Sequence, residues 1–219
     1  MVSFRTSSTS RSEYYDGFHR FEHWYRDNTV YFITARVRDR INVFQTEAAK
    51  AIFWDRFNHY TSEFGFTPWV TSLMDNHWHT EGYLRTGANL GPMIQRIHGS
   101  VAKLVNDLLP ERIESPFWFD AGRQGYFDGC LRNEKQGRLT YRYVLTQCRR
   151  HGLCEEPKDY PHTRVNVELE RAIKRALELN AFMEGVPYKR HQRGGGTLTA
   201  EAVSPAIQGR AKKKRGHVR

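Results

Sequence analysis

The order of apolar and polar positions along the chain predicts strands alternating with helices. Residues 29–37 (TVYFITARV) are β-branched and aromatic, as in a strand. After Thr46, apolar residues recur at every third or fourth position, which predicts a helix capped by Thr46 and ended by Gly65. Residues 66–74 and 77–84 predict two further strands, and the Asp-Asn pair between them predicts a hairpin.

The second half of the chain predicts three more helices and one irregular strand. The helical periodicity covers residues 89–109, 133–150 and 167–185, and each segment is followed or closed by proline or glycine. Residues 115–131 are aromatic with interspersed glycines, which predicts a fourth strand. This order predicts an α+β domain of the split-βαβ type, with one antiparallel sheet and helices on one face.

Charge divides the chain into parts. The 219 residues carry a formal net charge of +10, and residues 189–219 hold nine Lys or Arg and one Glu. The first 188 residues are nearly balanced, with 25 Lys or Arg and 23 Asp or Glu. We predict an N-terminal arm at 1–28, a single domain at 29–188, and a disordered basic tail at 189–219 that adds salt-dependent affinity for nucleic acid.

Two protein classes are not indicated. The three cysteines form no CxxC pair, so neither a disulfide framework nor a zinc knuckle is predicted. No apolar run approaches the roughly 18 residues of a membrane span, and the first residues lack the apolar stretch of a signal peptide. We therefore expect a soluble protein in a reducing cytoplasm.

The third predicted strand carries two histidines on one face. His77 and His79 are two residues apart, so their side chains share a side of the sheet at a spacing of roughly 6.6 Å. Two imidazoles form part of a site for a divalent ion and need a third ligand. Glu81 shares the histidine face, and Asn76 is predicted to point to the opposite face. Ordinary structural roles for the two histidines remain the alternative.

The third predicted helix supplies a candidate ligand and a candidate nucleophile. Tyr143 and Gln147 are four residues apart and therefore lie on one helix face. Two imidazoles and the Gln147 amide oxygen suit Mg²⁺ or Mn²⁺, and Tyr143 could attack a group that the cation polarises. The cation and nearby arginines are expected to lower the pKa of Tyr143. A solvated polar stripe is the alternative interpretation.

The order of these motifs resembles that of a known family. "NHWH", "NLGPMIQRIHGSVAKLVN", "YFDGCLRNEK" and "YRYVLTQ…HGL", spread over about residues 29–155, are similar to the REP-associated tyrosine transposases. These are single-tyrosine HUH endonucleases related to small insertion-sequence transposases. In that family two histidines flank a bulky apolar residue, here Trp78, and the nucleophilic tyrosine follows on a later helix in a stretch like YIxxNP. Cys148 stands where many members have proline.

The resemblance assigns roles to four residues. It implies metal binding by His77, His79 and Gln147 and nucleophilic attack by Tyr143, with Tyr141 as the rival tyrosine. It also implies a ferredoxin-like antiparallel sheet with helices on one face. The implied substrate is hairpin-forming single-stranded DNA, cleaved with Mg²⁺ or Mn²⁺ to a 5′-phosphotyrosine and a free 3′-OH that can rejoin it.

The resemblance further implies a monomer or homodimer in the bacterial cytoplasm, associated with the nucleoid. A catalytically inactive regulator that binds hairpin DNA or RNA is the alternative function, and it would not need the four residues together. A metal-independent structural protein is a third interpretation, which leaves the histidine pair without a role. Basic residues on helix faces or strand ends are candidate DNA contacts, although such residues are often only solvated. They are Arg36, Arg38, Arg96, Lys103, Arg138, Arg142 and Arg150.

Overall fold

A computed structural model describes residues 25–119 and 125–183, which form a five-stranded antiparallel sheet with helices. The strands are β1 (Thr29–Arg36), β2 (Phe66–Leu73), β3 (His77–Leu84), β4 (Phe127–Cys130) and β5 (Thr163–Val165). The helices are α1 (Glu47–Phe64), α2 (Leu90–Asn106), α3 (Glu134–Leu145), α4 (Gln147–Arg150) and α5 (Leu169–Glu178). The strand order is β4-β1-β3-β2-β5, which is the ferredoxin-like order extended by β5. The predicted α+β class is confirmed.

Helices cover both faces of the sheet, so the prediction of helices on one face only was wrong. Residues of α1 and α2 form one buried cluster with Tyr31, Ile33 and Trp78. Residues of α3 and α5 form a second cluster on the other face with Val30, against which Phe32 packs. The reason lies in β1, which is apolar on both faces and would expose apolar surface if only one were covered.

Local signals set the bounds of α1 as predicted. The Thr46 hydroxyl accepts a hydrogen bond from the Ala49 N–H at 3.2 Å, which satisfies one of the free donors of the first turn. Gly65 ends the helix in the left-handed conformation at φ 74°, where a residue without Cβ avoids strain.

The hairpin of β2 and β3 places the histidine strand in the middle of the sheet. His79 lies opposite Thr34 of β1 and Ser72 of β2. The turn is closed by the Met74 N–H, which donates to the His77 carbonyl at 2.8 Å. Because β3 is paired on both sides, the direction of its side chains is fixed by two neighbours.

The helix predicted over residues 133–150 is interrupted at Thr146, between α3 and α4. The Thr146 hydroxyl donates to the Arg142 carbonyl at 2.9 Å, and the Gln147 amide donates to the Tyr143 carbonyl at 2.9 Å. Both side chains compete with backbone N–H groups for the carbonyls of the helix, and this competition explains the interruption at Thr146. Apolar periodicity does not reveal such an interruption.

Two strand predictions differ from the structure. The irregular strand predicted over 115–131 is reduced to β4 and one isolated bridge between Trp118 and Val37, with residues 120–124 outside the described residues. The sequence did not predict β5, which has three residues and pairs with β2 at the edge. A strand this short has no readable alternation.

The chain divides into residues 1–185 and 186–219, and the second part lies wholly outside the described residues. Of the predicted arm, only residues 25–28 are described. Here the Asn28 N–H donates to the Arg85 carbonyl at 2.8 Å and its side-chain amide donates to the Leu179 carbonyl at 2.7 Å. The helix predicted over residues 167–185 was too long, because α5 ends at Glu178 and Asn180 has a positive φ of 50°. The basic tail stays a prediction. In the described parts of the chain, no helix is long and apolar enough to cross a membrane.

We expect Gly82→Ala to destabilise the protein by about 1–3 kcal/mol, the usual range for overpacking. An added Cβ would lie 2.5 Å from the Thr67 carbonyl oxygen and 2.8 Å from Pro68 Cα, at the bulge of β2. Gly99→Ala on α2 is the matched control, because its Cβ would meet nothing within 4 Å and alanine favours helix by about 0.5–1 kcal/mol. Urea denaturation measures both, and equal effects of the two variants would contradict the packing described.

Candidate active site

Three aromatic rings lie in a row on the face of the sheet that α3 covers. The ring centroids of His77 and His79 are 5.0 Å apart, and the Tyr143 ring lies 5.3 Å from His79. The histidines come from β3 and the tyrosine from α3, which packs across β2 and β3. The structure thus brings together three of the residues that the sequence predicts for the site.

Phe32 supports this row and was missed by the sequence analysis. Its ring stacks on His79 with centroids 5.9 Å apart and an interplanar angle of 9°, and it meets the Tyr143 ring edge-on at 5.9 Å. Phe32 lies opposite Glu81, on the histidine side of β1. Only the register of β1 against β3 places it there, and a single sequence does not show that register.

Asn76 sets the tautomer of His77. The Asn76 amide nitrogen donates to the Arg40 carbonyl at 3.1 Å and to the Asn42 side-chain oxygen at 2.6 Å. Its oxygen therefore faces His77 Nδ1, at 2.7 Å, so Nδ1 carries the proton and the Nε2 lone pair is free. The prediction that Asn76 points to the opposite face was wrong, because the residue lies in the turn before β3, where strand alternation does not apply.

Both histidines are neutral at pH 7. Burial lowers the pKa of His77 to about 4, with further lowering by the charges of His151, Arg40 and Arg36. Burial also holds the pKa of His79 well below its ordinary value. His79 Nδ1 is buried and has no hydrogen-bond partner among the described residues. Neutral imidazoles with free lone pairs are the form that binds a metal ion.

Gln147, the third predicted ligand, lies one helical turn after Tyr143. It is buried, and because its amide nitrogen donates to the Tyr143 carbonyl, its oxygen remains as a free acceptor end. Among residues 25–119 and 125–183, no three His, Cys, Asp or Glu side chains are grouped so that they could hold a metal ion. Two imidazoles with an amide oxygen are a donor set that could hold Mg²⁺ or Mn²⁺ with positions left open.

The pKa of Tyr143 is raised, whereas the sequence predicted that arginines lower it. Burial is the largest cause, and the Arg150 charge and a hydrogen bond with Gln147 act in the opposite direction. The Arg150 guanidinium lies 4.9 Å from the centre of the Tyr143 ring, so one of the predicted arginines is close to the phenol. Desolvation outweighs it, and the phenol is protonated at neutral pH.

Tyr141, the rival tyrosine, has a structural role. Its side chain is buried, and its hydroxyl donates to the Val167 carbonyl at 2.7 Å, which ties α3 to the segment before α5. The phenol is therefore directed at a backbone acceptor and away from the histidine row.

His151 extends the row at its other end and was also missed. Its ring centroid lies 4.7 Å from that of His77. The order in space is thus Tyr143, His79, His77 and His151. Helical spacing could have placed His151 at the site. Residues at i, i+4, i+7 and i+8 share one helix face, and here they are Tyr143, Gln147, Arg150 and His151.

Two of the predicted basic residues lie at the site. Arg36 lies opposite His77 in the β1–β3 register, and its guanidinium stacks 3.7 Å from the centre of the Phe119 ring. Arg150 lies over Tyr143, as described above. Together with Arg40 they place positive charge around the histidine row, which is the charge that a phosphodiester requires.

The other predicted basic residues are not brought to the row. Arg96 and Lys103 are exposed on α2, which packs on the opposite face of the sheet. Arg138 is engaged by Glu134 at 2.7 Å and by Glu170 at 2.5 Å, and Arg38 pairs with Asp39 at 3.2 Å. Arg142 is exposed on α3. DNA contacts by these residues stay predictions.

Comparisons with known proteins relate this fold to a solved one. No protein-family model and no curated protein matches the chain. The structure is similar to that of a REP-associated tyrosine transposase bound to a REP hairpin, with a TM-score of 0.54 and 16% identity over 65% of this chain and 80% of that one. A candidate transposase from Deinococcus radiodurans R1 gives a TM-score of 0.39 and 14% identity over 54% and 89% of the two chains. The first similarity shows a shared fold.

In the metal-free protein, we expect the Tyr143 phenol to ionise above its ordinary pKa, because burial disfavours the phenolate. Arg150→Ala should raise this pKa further by removing the cation over the ring. Arg149→Ala removes an exposed neighbouring charge and is the matched control. NMR of protein labelled at tyrosine Cζ, followed against pH, measures the ionisation. A Tyr143 pKa below about 10, the ordinary value, would contradict the described burial.

Proposed function

We propose that this chain is a metal-dependent DNA transesterase that cleaves and rejoins hairpin-forming single-stranded DNA, as a single-tyrosine transposase does. One observation carries the proposal: the Tyr143 ring packs 5.3 Å from the His79 ring, which itself lies 5.0 Å from the His77 ring. A phenol beside two neutral imidazoles provides a nucleophile next to a cation site. The substrate class is supported by the protein of similar fold, which is bound to a REP hairpin.

The residues that would hold Mg²⁺ or Mn²⁺ are His77 through Nε2, His79, and Gln147 through its amide oxygen. When bound, such a cation draws negative charge from the phosphodiester and so lowers the barrier to attack. The protein's own part is preparatory: Asn76 holds His77 in the required tautomer, and burial keeps both imidazoles neutral. A site assembled in advance loses no free energy to reorganisation during the reaction.

The proposed step exchanges one phosphodiester for another. The Tyr143 oxygen forms a bond to phosphorus, and the bond from phosphorus to the 3′ oxygen breaks. The phenol gives up its proton and the departing 3′ oxygen gains one, so the products are a 5′-phosphotyrosine and a free 3′-OH. Attack of a 3′-OH on the phosphotyrosine reverses the exchange without an external energy source. Arg150, over the Tyr143 ring, stabilises the negative charge that develops on the phenol oxygen.

The order of the rings orients the DNA. Attacking and leaving oxygens lie on opposite sides of phosphorus in such a displacement. Because Tyr143 lies at one end of the row, the departing strand lies towards the other end, where His151 contacts His77. Arg36 and Arg40 act on His77 from the same region, and their charges can bind phosphates of that strand.

We expect wild-type protein to form a denaturant-resistant adduct with labelled single-stranded DNA carrying imperfect palindromes, in the presence of Mn²⁺. Tyr143→Phe should abolish the adduct because the nucleophilic oxygen is absent, and His77→Ala should abolish it because the cation loses a ligand. Tyr141→Phe is the matched control and should retain it, since its hydroxyl bonds only the Val167 carbonyl. Denaturing gel electrophoresis measures the adduct. Tight binding without an adduct in the wild type would instead favour an inactive regulator of hairpin DNA or RNA.

Removal of divalent metal with EDTA should abolish the adduct, and added Mn²⁺ should restore it. Asn76→Ala should raise the Mn²⁺ concentration for half-maximal adduct by about 10–100-fold, the usual loss when the hydrogen-bond partner of a metal-binding histidine is removed. Asn58→Ala, an exposed change on α1, is the control and should leave that concentration unchanged. An adduct that forms equally well in EDTA would refute the metal requirement.

A further inference from the structure

Glu81 is a buried carboxyl group without a role in the step described above. The side chain has no exposed surface, and neither of its oxygens has a hydrogen-bond partner among the described residues. Buried carboxyl groups in native proteins are almost always hydrogen-bonded, because an unpaired one costs free energy of folding. Such a group at the centre of a sheet therefore needs an explanation.

The position of Glu81 relates it to His79. The two residues are two apart on β3, so their side chains lie on the same face of the strand. Glu81 is on the far side of His79 from His77, opposite Phe32, whose ring stacks on His79. Within residues 25–119 and 125–183, Glu81 does not join the histidines in a group of three possible metal ligands. It therefore lies behind the proposed cation site rather than in it.

The second unpartnered atom at this place belongs to His79. Its Nδ1 is buried without a partner among the described residues, whereas Nδ1 of His77 is 2.7 Å from the Asn76 oxygen. One histidine of the pair thus has the outer hydrogen bond that orients a metal ligand, and the other lacks it. The buried acceptor two residues away is the carboxyl group of Glu81.

We propose that Glu81 is a positioning residue for His79: an oxygen of its carboxyl group accepts a hydrogen bond from Nδ1–H when Nε2 of His79 binds the cation. The bond fixes the tautomer and the ring orientation of His79, as Asn76 does for His77. The proposed bond requires rotation of the Glu81 or His79 side chain, because both groups lack a partner in the structure described. This inference rests on the proposed metal site.

Replacing Glu81 should affect thermal stability and Mn²⁺ affinity differently, and the test measures both. Glu81→Leu keeps the buried volume and removes the unpaired carboxyl, so the metal-free protein should unfold at an equal or higher temperature. The same variant should weaken Mn²⁺ binding by about 10–100-fold, the loss typical of an outer hydrogen bond. Glu81→Gln retains an acceptor oxygen and should bind Mn²⁺ more tightly than Glu81→Leu does.

Mn²⁺ affinity is measured by titration of the free-ion signal in electron paramagnetic resonance, and stability by thermal unfolding in EDTA. Tyr83→Phe is the control, because it removes a hydroxyl on the same face that bonds Asn28 at 2.7 Å, away from the histidines, and it should leave the Mn²⁺ affinity unchanged. Unchanged affinity in Glu81→Leu would overturn the role of Glu81 while leaving the metal site intact.

Two other outcomes would also overturn the inference. If Glu81→Leu lowers both the unfolding temperature and the affinity, and Glu81→Gln restores neither, then Glu81 acts only in folding. If the wild type binds no Mn²⁺, the metal site of the proposed function fails, and the role of Glu81 fails with it.

Discussion

The packing of α3 on the histidine face of the sheet is the constraint on which the candidate site depends. It brings Tyr143 to His79, so that His79 is buried and Tyr143 is partly buried. Burial is the largest cause of the pKa shifts of His77, His79 and Tyr143, and it therefore decides the protonation states of the site. Two neutral imidazoles and a protonated phenol are therefore consequences of how the helix packs.

This arrangement places polar groups in a core that could have been apolar. Around β3, Val30 and Val144 form an ordinary buried cluster, while His79 and Glu81 are buried among them with unpartnered polar atoms. Unpaired buried polar groups lower the stability of a folded chain. His79 and Glu81 lie two residues apart on one strand, on the face that Tyr143 covers, and such a concentration is typical of a site organised for binding.

The sequence was informative wherever a short-range rule applies. Alternation along β3 places His77 and His79 together, and helical spacing places Tyr143 and Gln147 on one face. Contacts between residues far apart in the sequence could not be predicted from these short-range rules. The stacking of Phe32 depends on strand register, and the orientation of Asn76 depends on a turn held by the Arg40 carbonyl. The raised pKa of Tyr143 depends on how deeply α3 packs, which no local pattern gives.

The proposed reaction leaves Tyr143 covalently bound to DNA. Trypsin separates the two candidate tyrosines, because it cleaves after Arg138, Arg142 and Arg149 and so places Tyr141 in peptide 139–142 and Tyr143 in peptide 143–149. Mass spectrometry of the trypsin- and nuclease-treated adduct identifies the peptide that carries the nucleotide. We predict a 5′-phosphate-linked nucleotide on peptide 143–149. A nucleotide on peptide 139–142, or on neither peptide, would contradict it.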